Sequence, residues 1–151
     1  MRATAVVSFL AATLAGVQGM EETVTVSGLS IHKLGSPVGV KIDKVSFKVT
    51  GKDAKNLKCS AKNVAFPEPD DILPCGASNY SFTLWPGEHG AQFRVMVYHD
   101  VGDSHADLRG GAGIKTVCDN SHETGPADET CTQVKPVTFK IDGPVGSHPK
   151  M

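Results

Sequence analysis

Apolar residues in this chain return at every second position, and that period admits a half-buried β-strand and little else. Val24 and Val26 alternate with Thr23, Thr25 and Ser27. Val38, Val40 and Ile42 form one set, and Val45, Phe47 and Val49 form the next. The phase slips between Ile42 and Val45, so a bulge or break at Asp43-Lys44 is needed to keep both sets facing one core. Tyr80, Phe82 and Leu84 continue the pattern, as do Phe93, Val95 and Val97 with His99 in phase, and then Val137, Phe139 and Ile141. Sixteen glycines and nine prolines are scattered through the chain and break it into short pieces, while helical periodicity is weak. The expected fold is all-β: a compact antiparallel barrel or sandwich.

The first 19 residues stand apart from that pattern. Arg2 is followed by an uncharged apolar run, Ala3 to Ala15, and then by small residues around Val17-Gln18-Gly19. This is the layout of a cleavable secretory signal, and the run is too short to span a bilayer, which takes about 20 residues. The expected organisation is therefore a signal peptide at 1–19 and a single domain at 20–151. With 15 basic and 16 acidic residues of scattered sign, the chain has no basic face for nucleic acid. Nor does it contain a later apolar stretch or polybasic segment for a membrane.

All four cysteines, Cys59, Cys75, Cys118 and Cys131, follow the leader. An even count in an exported chain reads as disulfides. Three connectivities are open; the sequential one is favoured because each pair then brackets one turn-rich connection. A bridge over a loop of that size stabilises by about 3 kcal/mol in the chain-entropy model. The spacing lacks the CxxC of a zinc site.

Between the strands, Gly51-Lys52-Asp53-Ala54 reads as a turn, residues 67–71 as an extended acidic loop, and residues 86–90 as a hairpin connection. Residues 102–113 are polar and glycine-rich and read as a mobile loop, and the span from Asn120 to Thr130 reads as another polar loop, held at its ends by Cys118 and Cys131. The tail from Gly143 has little to bury.

Chemistry-bearing motifs are few. The run from His99 to His105 places two imidazoles, with Asp100 and Asp103, within seven residues. Its spacing matches no metal motif, so it reads as a solvated loop leaving a strand. Those two histidines are also the first positions to test if the protein is a small hydrolase, although no GxSxG or HExxH motif is present. Asn79-Tyr80-Ser81 is a glycosylation sequon. The lone Trp85, just before Pro86-Gly87, reads as packing at a strand end. No catalytic, metal or cofactor residue is assigned.

One block is more specific. Val45-Ser46-Phe47-Lys48-Val49-Thr50-Gly51 precedes Leu57-Lys58-Cys59-Ser60-Ala61. After the acidic prolyl loop come Pro74-Cys75-Gly76 and the strand from Tyr80 to Leu84. Cys118 and Cys131 then bracket a polar loop followed by Thr132-Gln133 and a terminal strand. Over roughly residues 22–143 this resembles the Alternaria major-allergen family of secreted fungal proteins. The resemblance implies a β-barrel with bridges Cys59–Cys75 and Cys118–Cys131. It also implies an extracellular effector or elicitor without enzymatic activity or cofactor, perceived by plant tissue. Its partners would be plant host proteins, thaumatin-like defence proteins or a surface receptor. The family's disulfide dimer, with a phenolic ligand at its interface, uses a further N-terminal cysteine. Met20 to Lys58 contains none, so a monomer or a non-covalent dimer is expected here. A carrier of a small apolar or phenolic ligand is the remaining alternative.

Overall fold

The computed structural model describes residues 21–102, 107–121, 125 and 127–143, so the expected signal peptide lies outside the described residues. Ten strands form one antiparallel sheet: β1 (Glu21–Ser36), β2 (Gly39–Gly51), β3 (Ala54–Val64), β4 (Leu73–Pro74) and β5 (Tyr80–Pro86), then β6 (Phe93–Asp100), β7 (Asp107–Ile114), β8 (Thr116–Asp119), β9 (Glu129–Gln133) and β10 (Val137–Asp142). Neighbours run β3-β2-β1-β10-β7-β6-β5-β4, and β9, paired with β8, also pairs with β1. The path curls until β3 approaches β4 and β5, giving a nearly closed barrel, and Cys59 of β3 is bridged to Cys75 just after β4 across that seam. The second bridge, Cys118–Cys131, crosses the β8–β9 pair, so the sequential connectivity holds.

Much of the interior is made of residues that the alternation selects. Val24, Val26, Ile42, Val45, Phe47, Val49, Phe82, Leu84, Val95, Val97 and Ile141 are all buried. Phe47 of β2 meets Phe82 of β5 edge-on at 4.8 Å, which packs two distant strands against each other through the core. The phase slip in β2 is a bulge: His32 pairs with Lys44 and Lys33 with Ile42, leaving Asp43 over. The imidazole of His32 lies 3.0 Å from the Asp43 carboxylate and holds the bulge from the neighbouring strand. A matching shift in β1 between Ser27 and Ser30 contains Gly28 at φ 64°, a left-handed backbone that glycine adopts without steric cost. It restores the inward phase to Leu29 and Ile31.

Two expectations are corrected. Val38 and Val40 do not join the core; they are 97 % and 49 % exposed at the tip of the β1–β2 hairpin, beyond the barrel wall. The glycine-rich span 102–113 is not a loop throughout, because residues 107–114 form β7, paired along its length with β6. The glycines there serve close approach. A Cβ on Gly110 would sit 2.4 Å from the Lys140 carbonyl oxygen, so only glycine lets β7 lie against β10 at that point.

β1 exchanges one neighbour for another along its length. Its first half pairs with β10, ending at Val26 opposite Val137, and its second half pairs with β9, from Ser30 opposite Thr132. Gln133 fills the fork. Its Oε1 accepts the Leu29 amide at 3.0 Å, and its Nε2 donates to the carbonyls of Val26 (3.0 Å) and Lys135 (2.7 Å). Removing that side chain strands main-chain groups that have no ladder partner. Gln133→Ala is expected to cost about 2 kcal/mol, read as a fall of roughly 6 °C in Tm by thermal circular dichroism. An unchanged Tm would show that water or a shifted strand satisfies the fork equally well.

Candidate functional site

Three of the inward alternations end on a polar side chain at the same rim of the barrel. Glu22 continues Val24 and Val26, Tyr80 continues Phe82 and Leu84, and His99 continues Phe93, Val95 and Val97. Each is buried: Glu22 is 5 % exposed, Tyr80 2 % and His99 1 %. A carboxylate in such a place is costly unless it is bonded on all sides, and this one is. Glu22 Oε1 accepts the Tyr80 hydroxyl at 2.6 Å and the Lys52 amide at 2.6 Å, and Oε2 accepts His99 Nδ1–H at 2.5 Å. The rings of Tyr80 and His99 stack at 3.9 Å and 9°, fixing both donors toward the same acceptor.

The turn from Gly51 to Asp53 closes this corner. The Asp53 amide donates to the Tyr80 hydroxyl at 3.1 Å, and Asp53 Oδ2 lies 3.3 Å from His99 Nε2 at the solvent edge. Gly51 is required by space, since a Cβ there would stand 2.5 Å from Glu22 Oε1 and 3.0 Å from the Tyr80 oxygen. Burial alone would push the Glu22 carboxyl upward. The hydrogen bonds from Tyr80, His99 and the Lys52 amide, with the attraction of His99, outweigh it and hold the carboxyl below its usual range. Burial, and then donation to Glu22, pushes the Tyr80 phenol well up, so it stays a protonated donor.

Above the corner lies an open groove of about 240 Å³ whose rim includes Glu21, Lys52, Asp53, Asn79, Asp100 and Val101. The Asn79 carbonyl accepts the Asp100 amide at 2.9 Å, tying the start of β5 to the end of β6. The Asn79 side chain is exposed, so the sequon asparagine stands at the groove edge.

The histidine-rich run is taken apart by the fold. His99 is not a solvated loop residue, because the inward phase of β6 buries it against Glu22. Asp100 faces outward and accepts the Gly102 amide at 2.8 Å, while Asp103 and His105 lie outside the described residues. Among the described residues, the metal-type group that clusters closely is Cys118, Glu129 and Cys131, and both its sulfurs belong to the disulfide. Trp85 is half-buried on the outer wall, its indole N–H donating to Thr83 Oγ1 at 2.9 Å. Glu22 and Asp53 carry no motif, and the signal that marks the first is a carboxylate sitting in phase with two valines. Among the described residues no helix is long and apolar enough to cross a membrane.

Because the folded carboxyl of Glu22 titrates below the ordinary value of 4.5, its stabilisation is complete at neutral pH. It is lost as pH falls through the folded value. Glu22→Gln is expected to cost about 2 kcal/mol at pH 7, with its stability deficit against the parent shrinking below pH 4. Urea midpoints between pH 7 and pH 2 check this. A deficit that stays constant across that range would show that Glu22 contributes no charge-dependent stability.

The fold agrees with comparisons to known proteins. The family model described as Alternaria alternata allergen 1 matches residues 26–131, a span holding both bridges, Tyr80 and His99. A protein named effector protein PevD1, from Verticillium dahliae, is 32 % identical over 123 residues, 82 % of this chain and 73 % of that protein. Two crystal structures of the Alternaria alternata allergen Alt a 1 share the fold. One has a TM-score of 0.61 at 19 % identity, covering 83 % of this chain and 92 % of that one; the other has 0.58 at 18 %, covering 85 % and 96 %. The chain belongs to the Alternaria alternata allergen 1 family.

Proposed function

We propose that the protein is a secreted fungal effector that works by binding plant host proteins, not by catalysis. The observation that carries this reading is the relative named as an effector, aligned over four-fifths of the chain. Residues 1–19 act as the export signal, and residues 20–151 form the single mature domain. An extracellular destination fits a barrel closed by sulfur bridges, which need an oxidising compartment to form and persist. The rim chemistry also fits a scaffold role. The atoms of Glu22, Tyr80 and His99 that could act as base or acid bond one another and the adjoining turn, which fixes the corner and leaves recognition to the outer wall and loops. Thaumatin-like defence proteins and surface receptors are the host partners to test first.

Infiltrating oxidised recombinant protein into leaf tissue is expected to trigger a cell-death or defence response. Protein with both bridges reduced and alkylated should be inactive once the barrel unfolds. Equal activity of the two forms would show that a linear segment, not the folded surface, is perceived.

Asn79 is the glycan attachment site in this reading, exposed in the connection that precedes β5 and followed by Tyr80-Ser81. Protein secreted from a eukaryotic host should lose mass on treatment with a peptide-N-glycosidase, and Asn79→Gln should run at the deglycosylated mass. Identical masses before and after treatment would leave Asn79 unmodified.

A further inference from the structure

The outer wall formed by β5, β6 and β7 differs from the rest of the barrel surface. Its outward positions fall into three rows set by register. Pro74, Ser81, Tyr98 and Arg109 make the first, and Thr83, Met96 and Gly111 the second; Trp85, Arg94 and Gly113 make the third. Ile72, one residue before Leu73, extends the second row past Thr83 and is 57 % exposed. The molecule's only tryptophan, one of its two tyrosines, a methionine and two arginines are thus gathered on one face. These are the residue types enriched at the centres of protein interfaces.

The aromatic part of this face is held in place before any partner arrives. The Trp85 indole donates to Thr83 Oγ1 at 2.9 Å, and the same oxygen lies 3.3 Å from the Tyr98 hydroxyl. Thr83, bonded to both side chains, is 4 % exposed although its register places it on the outer face. Side chains already fixed lose little freedom on binding. At Gly111 a Cβ would stand 2.3 Å from Met96 Sδ, so the glycine lets the thioether lie flat across β7.

Charge gives the face its partner. Among the described residues neither Arg94 nor Arg109 forms an ion pair. Arg109 Nη2 is buried without a hydrogen-bond partner, even with Asp142 opposite it on β10. Two guanidinium groups on either side of an apolar strip are matched by carboxylates on either side of an apolar anchor.

We propose that this face, from Ile72 across Trp85, Met96 and Tyr98 to Arg94 and Arg109, docks an acidic surface segment of a partner protein. The inference rests on the effector reading and adds the surface through which it acts. The test is a dose series in leaf tissue with the parent, Arg94→Glu, Arg94→Lys and Lys48→Glu. Lys48 is an exposed residue of β2 and makes the same charge reversal away from this face. Arg94 is exposed, and matching thermal midpoints confirm that each variant is folded. Trp85→Ala, checked in the same way, probes the apolar part.

Arg94→Glu and Trp85→Ala are each expected to raise the half-maximal dose about tenfold or more, with Arg94→Lys intermediate and Lys48→Glu within about twofold of the parent. Equal potency of Arg94→Glu and Trp85→Ala with an active parent overturns the surface while leaving the effector reading intact. An equal loss in Lys48→Glu also overturns it, since the effect would then be one of net charge. A parent that provokes no response overturns the effector reading and this surface with it.

Discussion

The Cys59–Cys75 bridge is the constraint on which the barrel depends. The hydrogen-bonded path begins at β3 and ends at the two-residue β4, and a curled sheet with two open edges gains nothing from main-chain pairing at its seam. The bridge supplies a covalent link where the ladder is thinnest. From Cys75 the chain turns through Ser78, whose hydroxyl donates to the Cys75 carbonyl at 2.6 Å and accepts the Tyr80 amide at 3.1 Å. The same few residues therefore close the barrel and deliver Tyr80 to the polar corner. Edge closure and site construction are one piece of local structure.

That corner shows what a barrel end can do with its last inward positions. Deeper in, the inward residues are all apolar and interdigitate. At the rim the next inward position on three strands meets the start of solvent, and here the chain places a carboxylate, a phenol and an imidazole that satisfy one another. Such a group has one good arrangement, so it fixes how the β2–β3 turn sits on the barrel mouth. Removing one member leaves the others, buried as they are, short of partners.

Much of this was legible from residue order, and the parts that were not have physical reasons. The long alternating strands and the phase slip at Asp43 follow from period and phase, and the turn at Gly51–Ala54 follows from its glycine and aspartate. β7 does not, because Gly110 and Gly111 carry no side chain to show a period, and their role is contact with strands distant in sequence. Val38 and Val40 carry the period but lie beyond the wall, since alternation says which way a residue points and not how far the sheet extends. His99 was in phase with the core, yet its neighbours Asp100 and Gly102 made the segment read as a loop. The partner Glu22, 77 positions away, makes burial of an imidazole there tolerable.

The pairing of β1 with β10 ties the first described strand to the last. Glu21 faces Asp142 and Val26 faces Val137, so two adjoining staves of the barrel come from opposite ends of the described residues. A growing chain holds both members of that pair only once β10 has been made. Structure built from such distant pairings forms late and slowly compared with local structure. The β1–β10 seam therefore waits on a strand far along the chain, whereas the β1–β2 hairpin, the longest local pairing among the described residues, joins neighbours in sequence.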